Sequence, residues 1–160
     1  MNTIVLATDG SPAARAATAE AIRLAEELDG RLVIVGIEHV AVPAYGYYGY
    51  GDIYLELLKG EHAHVHRVLT DAAHIADDAG LDCETIARTG DVVETICEIA
   101  EANDARFVVV GSHGWNALRR AVFGSVSAGL LHNAPCPVLV VRAGAVLHEY
   151  PHVHAEAAVV

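Results

Sequence analysis

Thr3-Ile4-Val5-Leu6-Ala7 runs directly into Thr8-Asp9-Gly10-Ser11-Pro12, and this junction decides the fold. A short run without polar alternation reads as a strand buried on both faces, the mark of a parallel sheet covered by helices. Ser11 then offers a helix cap, Pro12 suits the first helical position, and an Ala-rich stretch continues to Leu28 with Gly30 as the stop. Working outward, similar buried runs recur at Leu32–Ile37, Phe107–Val110 and Val138–Val141, with a weaker strand at Cys83–Arg88. Helical patterns cover about residues 54–79, ending at Gly80, then Asp91 as a cap through Ala102, and about 125–132. The order β-α-β-α-β-α-β-α-β implies right-handed crossovers and a doubly wound, five-stranded parallel sheet with helices on both faces. In such sheets ligands sit beyond the carboxyl ends of the strands, which selects Thr8–Ser11, Glu38–Val42 and Gly111–Gly124.

Composition narrows the function. The 160 residues fit one domain, and 53% are hydrophobic, so there is ample material for one core. Ten basic residues against twenty-one acidic ones give a net charge of −11, and Lys59 is the single lysine, which argues against a nucleic-acid partner. Cys83, Cys97 and Cys136 are odd in number and none is spaced as CxxC, so neither a disulfide framework nor a zinc knuckle is signalled and a cytoplasmic location is expected. The start of the chain has no basic region ahead of its apolar run and does not read as a signal peptide. Residues 121–141 lack formal charge, yet Ser125, Ser127, His132, Asn133, Pro135 and Pro137 interrupt them, so no membrane span is expected.

The most informative pattern is a pair of glycine clusters. Gly111-Ser112-His113-Gly114 follows a buried strand, and Gly124-Ser125-Val126-Ser127 opens a helix, with nine residues between Gly114 and Gly124. Glycines let backbone amides approach an anion, and a helix N-terminus supplies unpaired N–H groups with the positive end of the dipole. The same residues also suit a tight turn and an ordinary cap. The pattern is neither a Walker loop nor GxGxxG, and the absence of a nearby lysine speaks against fast phosphoryl transfer, since only Arg119 and Arg120 lie near the loop.

The spacing G-x2-G-x9-G-[S/T], carried by Gly111, Gly114, Gly124 and Ser125, resembles the adenine-nucleotide-binding signature of the universal stress protein family. Supporting matches are Ile4–Ser11, Thr89-Gly90-Asp91, Phe107–Gly114 and Ala134–Arg142, so the resemblance covers residues 1–142 and leaves 143–160 as a C-terminal tail. It implies a strand order of 3-2-1-4-5 and a cleft between the first and fourth strands. By position, Ala7 and Asp9 would lie by adenine and ribose, Ile37 by the base, Val110, Gly111 and Gly114 along ribose and phosphates, and Gly124, Ser125, Val126 and Ser127 on the phosphate chain. The implied ligand is ATP or another adenine nucleotide, with Mg²⁺ as a companion ion. The implied protein is a stress-response regulator, a homodimer joined through Val138, Leu139, Val140 and Val141. No catalytic residue is evident; a slow Mg-dependent ATP hydrolase and a nucleotide-free scaffold are the alternatives.

Other features leave their readings open. Asp9 suits either turn formation through backbone hydrogen bonds or contact with ribose or Mg²⁺. His113, inside the glycine loop, suits filling the loop, meeting phosphate or sensing pH. The other histidines, among them His62, His64 and His66 and the tail's His148, His152 and His154, read as surface imidazoles. Only His62 and His66 share a helix face, and no cysteine or carboxylate completes a metal set, so no metal site is expected. Residues 44–51 hold four of the six tyrosines and read as a loop beside the second strand's end.

Overall fold

The structure, a computed structural model, describes residues 2–38, 51–113 and 124–144, with the backbone alone for 51–54. Gly114, the tyrosine insert up to residue 50, Arg119, Arg120 and the tail from residue 145 lie outside the described residues. The elements are β1 (Asn2–Ala7), α1 (Pro12–Glu27), β2 (Gly30–Glu38), α2 (Gly51–Asp78), β3 (Cys83–Thr89), α3 (Val92–Ala102), β4 (Ala105–Gly111), α4 (Ser125–Asn133) and β5 (Val138–Val141). All strand pairs are parallel, in the order β3-β2-β1-β4-β5. The expected doubly wound sheet is therefore present, with its strand order.

Alternation along β1 feeds two cores. Ile4 and Leu6 pack with Leu32, Ile34, Ala17, Ala21, Val65 and Leu69, the layer of α1 and α2. Val5 and Ala7 pack with Val33, Val35, Ile96, Ile99 and Leu130, the layer of α3 and α4. Because helices cover both faces, every β1 residue from Thr3 to Ala7 is buried, which explains the uninterrupted run in the sequence.

The helix boundaries follow local chemistry. Asp91 caps α3 as expected, its Oδ1 accepting from the backbone N–H groups of Val93 and Glu94, each at 3.0 Å. Gly80, with φ +74°, ends α2: its N–H donates to Asp77 O and that of Leu81 to Ala76 O, the paired bonds that close a Schellman turn. The expected stop of α1 at Gly30 needs correction. Asp29, with φ +48°, makes the left-handed turn and Gly30 already belongs to β2; Asp104, with φ +47°, repeats this after α3. A short polar side chain tolerates that conformation well enough to replace glycine.

No described helix is long and apolar enough to cross a membrane, since the uncharged stretch breaks into α4 and β5. All three cysteines are free, and burial pushes each thiol up from its ordinary value. Asp91→Ala removes both cap bonds from an exposed position and should lower stability by about 1 kcal/mol in urea denaturation, whereas Asp91→Ser should recover most of the loss.

Candidate functional site

β1 lies between β2 and β4; α1, which follows β1, covers one face of the sheet, while α4, which follows β4, covers the other. The chain therefore leaves β1 and β4 in divergent directions, and their carboxyl ends flank the switch point where a cleft forms. The structure brings the sequence-derived residues Ala7, Asp9, Val110, Gly111 and Gly124–Ser127 to this place.

The floor is apolar. Ala7 and Val110 are ladder partners of β1 and β4, both nearly buried, and Ile37 is half-buried toward the same core at the end of β2. At the turn after β1, Asp9 is exposed and its Oδ1 accepts from Ser11 N–H at 2.9 Å, so it organises the turn as one of its two readings required. Gly10, with φ +74°, makes the bend, and a Cβ there would lie 2.7 Å from Val68 Cγ2.

Two serines hold the walls together. Ser11, fully buried, accepts from Ala14 N–H and donates its hydroxyl to His113 O, both at 3.2 Å, which ties the first turn of α1 to the segment after β4. Ser112 O accepts from Gly124 N–H at 2.7 Å and from the Ser127 hydroxyl at 3.1 Å, while Ser112 N–H donates to Val141 O at 2.7 Å. One residue thus joins β4, β5 and the start of α4. Its role was not legible in the sequence, because a serine between glycine and histidine carries no signal of the two elements that will meet its backbone.

The glycines have structural work at the same point. A Cβ on Gly111 would sit 2.8 Å from Ala13 C and Ala14 N, so its first need is room for α1 against β4. A Cβ on Gly124 would come to 3.2 Å from Ser112 O and 3.4 Å from His113 Cα. The Ser127 hydroxyl is buried and directed to Ser112 O and Gly124 O. Ser125, by contrast, is exposed at the helix start.

Among the three helices whose starts are described, α4 differs. α1 and α3 each receive a side-chain cap, from Ser11 and Asp91, but Gly124 offers none to α4 and no acid occupies its first turn. Ala128 N–H is the first to bond back, to Gly124 O, so the amides of Ser125, Val126 and Ser127 have no intrahelical acceptor. Together with the dipole they form a donor set suited to a phosphate.

Fold and donor set define the class, a doubly wound α/β protein with an anion-ready helix terminus at its switch point. Residues 1–142 match the universal stress protein family, and the chain belongs to that family. A universal stress protein of Methanocaldococcus jannaschii is 33% identical over 143 residues, covering 87% of this chain and 81% of the relative, and YxiE of Bacillus subtilis is 29% identical over 146 residues, covering 88% and 99%. Among solved structures, the universal stress protein UspA from Lactobacillus plantarum superposes with a TM-score of 0.78 at 26% identity, covering 88% of this chain and 97% of that one. A universal stress protein in complex with cAMP gives a TM-score of 0.67 at 24% identity, covering 89% and 97%.

Ser127→Ala should cost about 0.5–1.5 kcal/mol in denaturant unfolding, because it removes one of the two donors to the buried Ser112 carbonyl while Gly124 N–H still satisfies it. Ser125→Ala, at an exposed position, should change stability by less than about 0.5 kcal/mol.

Proposed function

We propose that this protein binds an adenine nucleotide, with ATP as the resident form, in the cleft between β1 and β4, and acts as a cytoplasmic, nucleotide-responsive regulator in the stress response. The observation that carries this reading is the N-terminus of α4, which has no side-chain cap among the described residues and is held against the end of β4 by Gly124 N–H and the Ser127 hydroxyl on Ser112 O. Three amides converge there on one side of an apolar floor made by Ala7, Val110 and Ile37, which suits a molecule with a flat apolar base at one end and phosphate at the other. Structural neighbours are described with cAMP, AMP and dAMP bound, which supports an adenine ligand. In this reading the Ser125 hydroxyl and the amides of Ser125, Val126 and Ser127 take phosphate, Gly111 and Gly114 let the backbone pass close to it, and Asp9 meets ribose or Mg²⁺.

β5 completes the proposal. It ends the sheet, and its Val138, Leu139 and Val140 are only half-buried in the single chain. An apolar edge strand of this kind is a pairing surface, and a second copy of the chain joined through it would form a homodimer.

Gly124→Asp is the decisive variant. A carboxylate at this cap position would occupy the amides that phosphate needs and cancel the terminal field, while serving the helix itself as an ordinary cap. Calorimetric titration should show ATP binding to the natural protein and at least a ~100-fold loss in the variant, equivalent to about 2.7 kcal/mol, with circular dichroism showing that the variant remains folded despite the close approach of its Cβ to the Ser112 carbonyl. Unchanged affinity would place the nucleotide elsewhere, and AMP binding as tightly as ATP would remove the role assigned to the outer phosphates.

A further inference from the structure

Outside the cleft, on the α2 side of the sheet, Glu38, His62 and His66 bring one carboxylate oxygen and two imidazole nitrogens within 4.8 Å of one another. We propose that these three residues form a binding site for a borderline divalent ion of the Zn²⁺ class.

The site is assembled from two elements that the core already fixes. Glu38 ends β2, where it pairs in register with Thr89 of β3. His62 and His66 stand one turn apart on α2, the spacing that puts two imidazoles on one helix face. Val65 and Leu69 of the same helix are buried against the sheet. Gly36, two residues before Glu38, has only hydrogen where a Cβ would lie 2.7 Å from Val65 Cγ1. Its small size lets α2 lie close enough for its histidines to reach the end of β2.

The chemistry of the donors matches the ion. Two neutral imidazoles and one carboxylate are an established ligand set for zinc, with the fourth position left to water, and two nitrogen donors select against Mg²⁺ and Ca²⁺. Glu38 is mostly buried, its side chain 16% exposed, and Thr89 donates its hydroxyl to Glu38 Oε2 at 3.1 Å. That outer bond orients the carboxylate and leaves Oε1 toward the histidines. At present His62 Nδ1 lies 2.6 Å from Glu38 Oε1. A tetrahedral ion would replace this hydrogen bond and spread the pair to about 3.3 Å, a small movement for the exposed His62 ring. The Glu38–His62 bond accounts for only two of the three groups. His66 adds its ring to that of His62, centroids 4.2 Å apart, and so presents a further nitrogen at the same carboxylate.

Ile37 faces the nucleotide floor while Glu38 serves the α2 layer, so this site and the cleft stand or fall separately. The test is a calorimetric titration of the chelator-treated full chain with ZnCl₂, paired with thermal melting. We expect one equivalent of Zn²⁺ to bind and raise the midpoint, with Mg²⁺ having no effect. His62→Ala with His66→Ala should abolish the binding, Glu38→Gln should weaken it severely, and Thr89→Val should weaken it by roughly 10–100-fold. Replacing His148, His152 and His154 together by alanine should leave it intact. Absence of Zn²⁺ binding in the natural protein, persistence in the His62/His66 variant, or its loss in the tail variant would each overturn the proposal.

Discussion

The structure depends on β1 being covered on both faces. Helices α1 and α2 bury Ile4 and Leu6 while α3 and α4 bury Val5 and Ala7. Such a strand cannot alternate polar and apolar residues, and its polar groups are confined to its end. The sequence-derived glycines and serines of the switch point therefore gather where β1 and β4 stop and their chains turn to opposite faces. The cleft is a consequence of how the layers are connected, and its donors are what the backbone exposes when α4 begins there.

The switch point is also a structural joint, and this changes how the glycine signature is understood. Gly111 makes room for α1, Gly124 avoids the Ser112 carbonyl, and Ser127 spends its hydroxyl on that carbonyl. These roles do not compete with ligand binding. A helix terminus held rigidly by Ser112 presents its amides in a fixed direction, and fixed donors lose little on meeting an anion. In the proposed function, the segment that packs this joint would also present its remaining amides to the ligand.

The two faces of β2's end divide their tasks in the same way. Ile37 and Glu38 are neighbours in sequence, yet one is packed toward the α3 and α4 layer and the other meets His62 and Thr89 on the α2 and β3 side. Period-two alternation puts an apolar contact and a carboxylate within one residue of each other without bringing them into one site.

Much of this architecture was legible in residues alone. Buried runs marked four of the five strands and a weaker pattern marked β3, and Ser11-Pro12, Gly80 and Asp91 marked helix ends through bonds made within a few residues. The spacing of Gly111, Gly124 and Ser125 likewise pointed to α4, because helix starts obey local rules. What the sequence left open were contacts between distant segments. Asp29 displaced Gly30 as the turning residue because two backbone conformations were locally acceptable. Ser112 gained its role only when β5 and α4 met its backbone, and Glu38 joined His62 and His66 only when α2 packed across Gly36 onto β2. Local propensity and periodicity determine which segments become strands and helices. Which side chains then face one another across dozens of residues is decided by packing, which no spacing rule within a single segment contains.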